Sequence, residues 1–255
     1  MNVSGVPMTG VSADDLAMIA NYDGASHVAG FSVNSNAAAV VGGMSALAGS
    51  AKLSSITLDV AGSTLSLTAA TLLTSGNLAT VQKINNGYSL AVSAATIANL
   101  PALAVIDNIS SIKVADNSLY LSDQFDDLID LGSQLTEVTN STSGTPLALT
   151  YDQWAAGADT LGKIPSGNYM VDLFDVAAAN VATLAALSKV DEIYVEDYSY
   201  NIASQWSDLV SQAKLTTITL LDNGDISLTQ AQQALTGSGA LIDKLQGTFN
   251  IVNAD

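Results

Sequence analysis

The 255-residue chain has no cysteine and no arginine, a single histidine, and only 5% aromatic residues. Each absence excludes a class of function. Without cysteine there is no disulfide framework, no thiolate metal site and no thiol nucleophile. Without arginine, and with seven lysines against 24 acids, the chain lacks the guanidinium forks and phosphate-neutralising charge of nucleic-acid binding. The formal net charge of −17 opposes adsorption to anionic membranes. No apolar run reaches the ~18 residues that cross a bilayer, so no membrane insertion is expected. The opening "MNVSGVPMTG" lacks the basic and apolar regions of a signal peptide. His27 has no second histidine for a triad or an HExxH pair and reads as a solvent-facing turn residue. There is no GxSxG elbow, and "GSGALIDK" near Gly237 lacks the spacing of a phosphate cradle and reads as a turn before a helix.

What is present is an aliphatic chain, 48% apolar, that repeats itself. "AKLSSITLDVAGSTLSLT" from Ala51 returns as "SQLTEVTNSTSGTPLALT" from Ser133 and "AKLTTITLLDNGDISLT" from Ala213, steps of 82 and 80 residues. "VSADDLAMIA" at Val11 returns as "VSAATIANLP" at Val92. Phe31, Ile112 and Ile193 are 81 apart, as are Met44, Phe125 and Trp206; Lys83, Lys163 and Lys244 keep a common place. Units of about 81 residues, roughly 11–91, 92–172 and 173–253, account for most of the chain.

Each unit subdivides. Alternating β-branched runs recur around Phe31, Ile56, Leu90, Ile112, Val138, Val171, Ile193, Ile218 and Ile251. Ala- and Leu-rich segments of helical spacing lie between them, such as "AAANVATLAALSK" with Ala178, Leu184 and Leu187 on one face. Each unit adds one short extended piece: "STLSLT", "TPLALT" or "DISLT". Spacings of 22 to 26 residues between most strands suit parallel crossovers, which are right-handed. The expected fold is α/β: a right-handed solenoid of parallel strands and helices in three ~81-residue repeats, forming a single domain over 1–255, with a parallel sheet on one side. Leu184, Leu187, Val190, Ile193 and Val195 are expected to point inward, as are Ile109, Ile112, Val114 and Asn117, and Leu215, Ile218, Leu220 and Asn223. This spacing resembles the leucine-rich-repeat phrase LxxLxLxxN, which implies that the Asn side chains bond a neighbouring coil; the 33-residue coils and the Ile/Val in place of Leu depart from that family. Obvious polar caps are lacking, so the chain reads as a segment of a longer array.

Phrases such as "ANVATLAAL", "KLTTITLLDNGDISLT" and "ALIDKLQGTFNIV" also resemble the repeats of large secreted bacterial surface proteins, adhesin-like chains exported by type I systems. The likeness spans the chain and implies an extracellular or cell-surface, structural or adhesive role. That group's GGxGxD calcium repeat is missing.

Candidate chemistry rests on acids and tyrosines. Asp222 and Asp225 of "LDNGD" are in the style of a calcium loop, the one metal the chain suggests, although the downstream Glu of an EF-hand is absent. Asp123, Asp126, Asp127 and Asp130 fall on one helical stretch and read as a solvated face; Glu196 and Asp197 end a strand. Tyr194, Tyr198 and Tyr200, with Trp154, offer rings for sugar stacking. The expected function is a spacer, adhesin or building block of an extracellular layer, without catalysis. Its partners would be itself, neighbouring repeats, or a surface glycan or protein. The rivals are a polysaccharide-active enzyme or glycan-binding module using those acids and tyrosines, and an intracellular protein-binding solenoid.

Overall fold

The computed structural model describes residues 8–11, 28–165 and 169–254; His27 lies outside them. The fold is mixed α/β, and the strand pairs among the described residues are parallel. The chain forms two compact units, residues up to Ala115 with Leu131–Val138, and Asp116–Asp130 with Thr139 onward. One sheet orders β1 (Met8–Val11), β2 (Phe31–Ser35) and β3 (Leu53–Leu58). A second orders β4 (Thr64–Thr68), β5 (Ser89–Ala95), β6 (Ile109–Asp116) and β7 (Leu135–Asn140). A third orders β8 (Leu147–Thr150), β9 (Val171–Val176), β10 (Val190–Asp197) and β11 (Leu215–Leu220). Beyond it, β12 (Ile226–Leu228) stands apart, the two-residue β13 (Leu245–Gln246) extends the third sheet beside β11, and β14 (Ile251–Asn253) pairs with β12.

The expectation of one sheet is thereby corrected. The added extended pieces are β4, β8 and β12, and they pair with β5, β9 and β14, the repeat's next full strands, rather than with β3, β7 and β11 before them. The reason is length. Five residues separate β3 from β4, six separate β7 from β8, and five separate β11 from β12. A parallel return needs a dozen residues or more, so none of these connectors can lay the added strand parallel beside the strand before it.

The LxxIxL spacing has a local cause as well. Leu53, Ile56 and Leu58 are all buried, yet strict alternation would put Leu53 and Ile56 on opposite faces. From Phe31↔Leu53 to Ser32↔Ser55 the register advances one residue on β2 and two on β3. This bulge absorbs the extra residue and keeps both side chains inside. The same step occurs at β10 against β11, where Leu215, Ile218 and Leu220 are buried.

The helices are short and begin on side chains that the strand ends supply. Thr68, Thr150 and Thr229 follow or end β4, β8 and β12, and each accepts the N–H of the residue three further on. Such caps contribute about 1 kcal/mol each. Four expectations fail here. Asn117 does not bond a neighbouring strand but caps its own helix, Ser118–Asp123, by accepting from Tyr120 N–H at 3.1 Å. Asn223 is exposed in a turn with φ 47°, and Leu187, past the end of its helix, is 38% exposed. The acidic stretch is two helices, Ser118–Asp123 and Phe125–Asp130, broken at Gln124, so its four aspartates share no single helical face, although all are exposed.

Met44, Phe125 and Trp206 are each at most 1% exposed. Trp206 keeps its indole satisfied by donating from Nε1 to Ser238 Oγ at 3.0 Å, and that hydroxyl donates to the Gln232 carbonyl at 2.8 Å. Phe125 instead needs space. A Cβ on Gly157 would lie 2.3 Å from Phe125 Cε1 and 2.8 Å from the Gln153 carbonyl oxygen. Gly157→Ala is therefore expected to destabilise by about 1–3 kcal/mol, and Phe125→Ala by about 3–5 kcal/mol. In urea denaturation, Phe125→Leu should recover part of the Gly157→Ala loss; additive losses would show that the ring is not what Gly157 accommodates.

Candidate functional site

Because Val171, Leu173 and Val176 of β9 and Val190, Ile193 and Val195 of β10 are buried, the intervening residues lie on the outer face. These are Asp172, Phe174 and Asp175, and Asp191, Glu192, Tyr194 and Glu196. From Leu173↔Ile193 to Val176↔Val195, β9 advances three residues and β10 two. Asp175 is within this bulge at φ 56°, a left-handed conformation uncommon outside glycine, asparagine and aspartate. The same step joins β5 to β6, where Ala94 has φ 51°.

The bulge brings acids and rings into ladder contact. Glu192 N–H donates to Asp172 Oδ1 at 3.2 Å. Tyr194 donates its hydroxyl to Glu192 Oε2 at 2.5 Å, and its ring stacks on Phe174 with centroids 4.3 Å apart and planes at 11°. Loss of solvent, then the neighbouring Asp175 carboxyl, raises the Glu196 carboxyl above the usual range. Burial, then the charge of Glu192, does the same to Asp172. The hydrogen bond to Glu192, followed by desolvation, pushes Tyr194 up to about 12.

The acids singled out in the sequence do other work. Asp222 receives Ser199 Oγ at 2.9 Å, Ser199 N–H at 3.2 Å and Gly224 N–H at 3.1 Å. Desolvation alone would raise this carboxyl, but the bonds from Gly224 and Ser199 outweigh it and hold it below the usual range. Asp222 thus sits at the start of the helix Ser199–Leu209, where negative charge is favourable. Asp225 Oδ1 accepts the N–H and side-chain amide of Asn250 at 3.2 and 2.8 Å. Among the described residues, no group of three or more His, Cys, Asp or Glu is arranged to hold a metal. Glu196 and Asp197, adjacent in sequence, have opposite fates. Asp197 is buried and accepts from Ala178 N–H, Tyr198 N–H and Asn201 Nδ2 at 2.9, 2.8 and 2.6 Å.

The aromatic residues do not make one platform. Tyr194 stacks on Phe174, Tyr198 on Tyr200 at 5.7 Å, and Trp154 lies 5.9 Å from Tyr151. Trp154 also lines, with Leu161 and Tyr169, an open cleft of about 450 Å³. The lysines serve the backbone or single partners. Lys83 donates to the Leu53 carbonyl and Lys214 to that of Leu187, each at 2.6 Å, and Lys244 donates to the Leu215 carbonyl. Lys113 pairs with Glu137 at 2.7 Å, and Lys189 lies 4.9 Å from the centroid of the Tyr169 ring.

Asp172, Phe174, Asp175 and Glu192 were not singled out in the sequence. Alternation in "VDLFDV" and "VDEIYVED" marks most of them as outward; only the bulge register shows which acids meet. The ladder thus sets the carboxylates of Asp172 and Glu192 beside the stacked rings of Phe174 and Tyr194. Comparison of the chain with protein-family models, with curated proteins and with solved structures gives no match.

Two outcomes follow from these bonds. In an absorbance titration, one tyrosine should ionise near 12, and Glu192→Gln should lower that value. The hydrogen bond of neutral Tyr194 to Glu192 stabilises the fold below 10 and is lost as pH rises through about 12. Asp222→Asn should lower the melting temperature at neutral pH. Because the native Asp222 carboxyl is held below its ordinary 3.8, the gap between wild type and variant should close as pH falls through that lowered value. A gap that persists there would show that the charge is not the stabilising feature.

Proposed function

We propose that this chain is a structural or adhesive segment of an extracellular or cell-surface bacterial protein, built as a right-handed α/β solenoid of three ~81-residue repeats. The observation that carries the reading is the strand order. From β4 to β7 in the second sheet and from β8 to β11 in the third, each strand lies beside its neighbour in sequence, the pattern that strand–helix–strand steps produce when stacked. The repeated positions support it: Met44, Phe125 and Trp206 are all buried, and Lys83 and Lys244 both donate to the first carbonyl of a strand of the preceding step.

Use of side chains points the same way. Among the described residues, no buried side-chain nitrogen or oxygen lacks a partner. Asp197, Asp222 and Asp225 fix helix starts and turns, so the polar groups that the sequence offered for chemistry are taken up by architecture. On this reading the activity is display and association, with the same chain, with neighbouring repeats or with a surface glycan or protein. A glycan-binding module is the second reading, favoured by the cleft beside Trp154 and Tyr169.

Light scattering across a concentration series, with a parallel assay on a broad panel of glycan and peptide substrates, tests the proposal. Concentration-dependent mass without turnover is the expected result. A strictly monomeric chain that cleaves a glycan would replace this reading with the enzyme one. Glycan retention without cleavage, abolished by Trp154→Ala, would favour the binding module.

A further inference from the structure

The helix Ser118–Asp123 and β8 enclose, with Asp172 of β9, a cleft of about 330 Å³. One hydroxyl holds its walls together: Ser122 Oγ donates to the Ser118 carbonyl at 2.7 Å and accepts Ala148 N–H at 2.9 Å. Leu119, Pro146 and Ala148 line it with apolar surface, and Leu119 is 63% exposed. Asp123, at the end of the helix, and Asp172, opposite Ala148, supply two carboxyls. Asp172 Oδ1 accepts Glu192 N–H at 3.2 Å, and a carboxylate has room for further donors. The lysines that precede β10 and β11 are directed elsewhere, Lys189 to the Tyr169 ring and Lys214 to the Leu187 carbonyl.

The first repeat builds the same cleft without the charge. There Ala37, Ala38 and Val41 of the helix Ala37–Gly42, with Thr64 and Ser66 of β4, line a cleft of about 230 Å³. Gly42, 81 residues before Asp123, ends that helix. Ala91 lies opposite Ser66 as Asp172 lies opposite Ala148. The fold therefore forms the cleft with no carboxyl at either place, and the two aspartates serve something other than the fold.

A lysine side chain matches this cleft part by part. Its four-carbon stem covers apolar surface while its head stays polar, and its ammonium is a compact charge with three donors. From Asp172 the negative charge continues over the outer face through Glu192 and Glu196 of β10, beside the stacked rings of Phe174 and Tyr194. That surface extends beyond one side chain and suits a segment carrying further cations, which aromatic faces attract. A second copy of this chain is a poor occupant, since each copy carries 24 acids against seven lysines and repels the other.

We infer that the cleft takes a lysine side chain of a partner protein, its stem along Leu119, Pro146 and Ala148 and its ammonium between Asp123 and Asp172. This deepens the adhesive reading by naming the partner's chemistry, and it rests on that reading.

Fluorescence anisotropy of a labelled Gly-Ser peptide carrying two lysines, titrated with the whole chain at low salt, tests the site. The peptide should bind, and acetylating its lysines, which keeps the stems and removes the charge, should abolish binding. Asp123→Asn with Asp172→Asn should lower the affinity about tenfold or more, the scale of a lost charged hydrogen bond. Asp123→Asn alone alters an exposed side chain and should lose part of this affinity with an unchanged urea midpoint. Asp208→Asn with Asp243→Asn removes the same charge from exposed positions outside the cleft and should change the affinity far less. The site is refuted if this control pair weakens binding as much as the cleft pair, or if the acetylated peptide binds equally. Equal affinity for free spermidine, or calcium held at these aspartates to the exclusion of the peptide, would overturn a protein partner. Peptide binding by a chain that stays monomeric in light scattering supports the cleft and counts against self-association. A chain that self-associates but takes no peptide overturns the cleft and leaves the scaffold reading in place.

Discussion

A connector too short to return governs this structure. Between β3 and β4 the chain has five residues, and similar gaps of six and five precede β8 and β12. A parallel neighbour cannot be reached in that length. The added strand lies outside the sheet of the strand before it and pairs in parallel with the repeat's next full strand. Gly62, Gly144 and Asn223 take left-handed backbone within these three connectors, a conformation that glycine and asparagine adopt most readily. The threonine at or just past the end of each added strand then starts the next helix, so one short segment sets the turn, the new strand pairing and the helix entry.

Once the strands are laid side by side, the interior follows from the bulged LxxIxL rows, and polar residues are drawn into holding consecutive elements together. Thr136 Oγ1 donates to the Ile112 carbonyl, and Asn86 both donates to the Leu58 carbonyl and accepts its N–H. Lys83, Lys214 and Lys244 bind backbone carbonyls rather than acids, whereas Lys113 pairs with Glu137. A chain of this composition invests its polar chemistry in architecture, and its outer faces vary from sheet to sheet. Ala94 and Ala115 in one bulge against Asp175 and Glu196 in the other illustrate this: the backbone is shared and the surface differs.

Much of this was legible in the sequence. Period-two runs located the strands, and the parallel arrangement followed from crossover lengths. The burial of Leu184, Val190, Ile193 and Val195 was foreseen correctly; that of Leu187 was not, because its helix ends at Ala185. Asn117 and Asn223 were misread because the asparagine of LxxLxLxxN is shared by helix caps and turns, and spacing alone does not separate the two. The acidic stretch from Asp123 to Asp130 carries helical spacing through a break at Gln124 that periodicity does not register. The bulge at Asp175 was hidden for a different reason: it is a register shift between β9 and β10, and register is a tertiary quantity.

The central claim, that each added strand joins the strand after it, can be tested directly because the chain has no cysteine of its own. Ser66 on β4 lies opposite Ala91 on β5, outside the buried row, and Thr57 occupies an outward position on β3. Cysteines introduced at 66 and 91 should crosslink under mild oxidation without loss of thermal stability, whereas a pair at 57 and 66 should remain reduced in the folded chain. Efficient crosslinking of 57 with 66, and none between 66 and 91, would contradict the account.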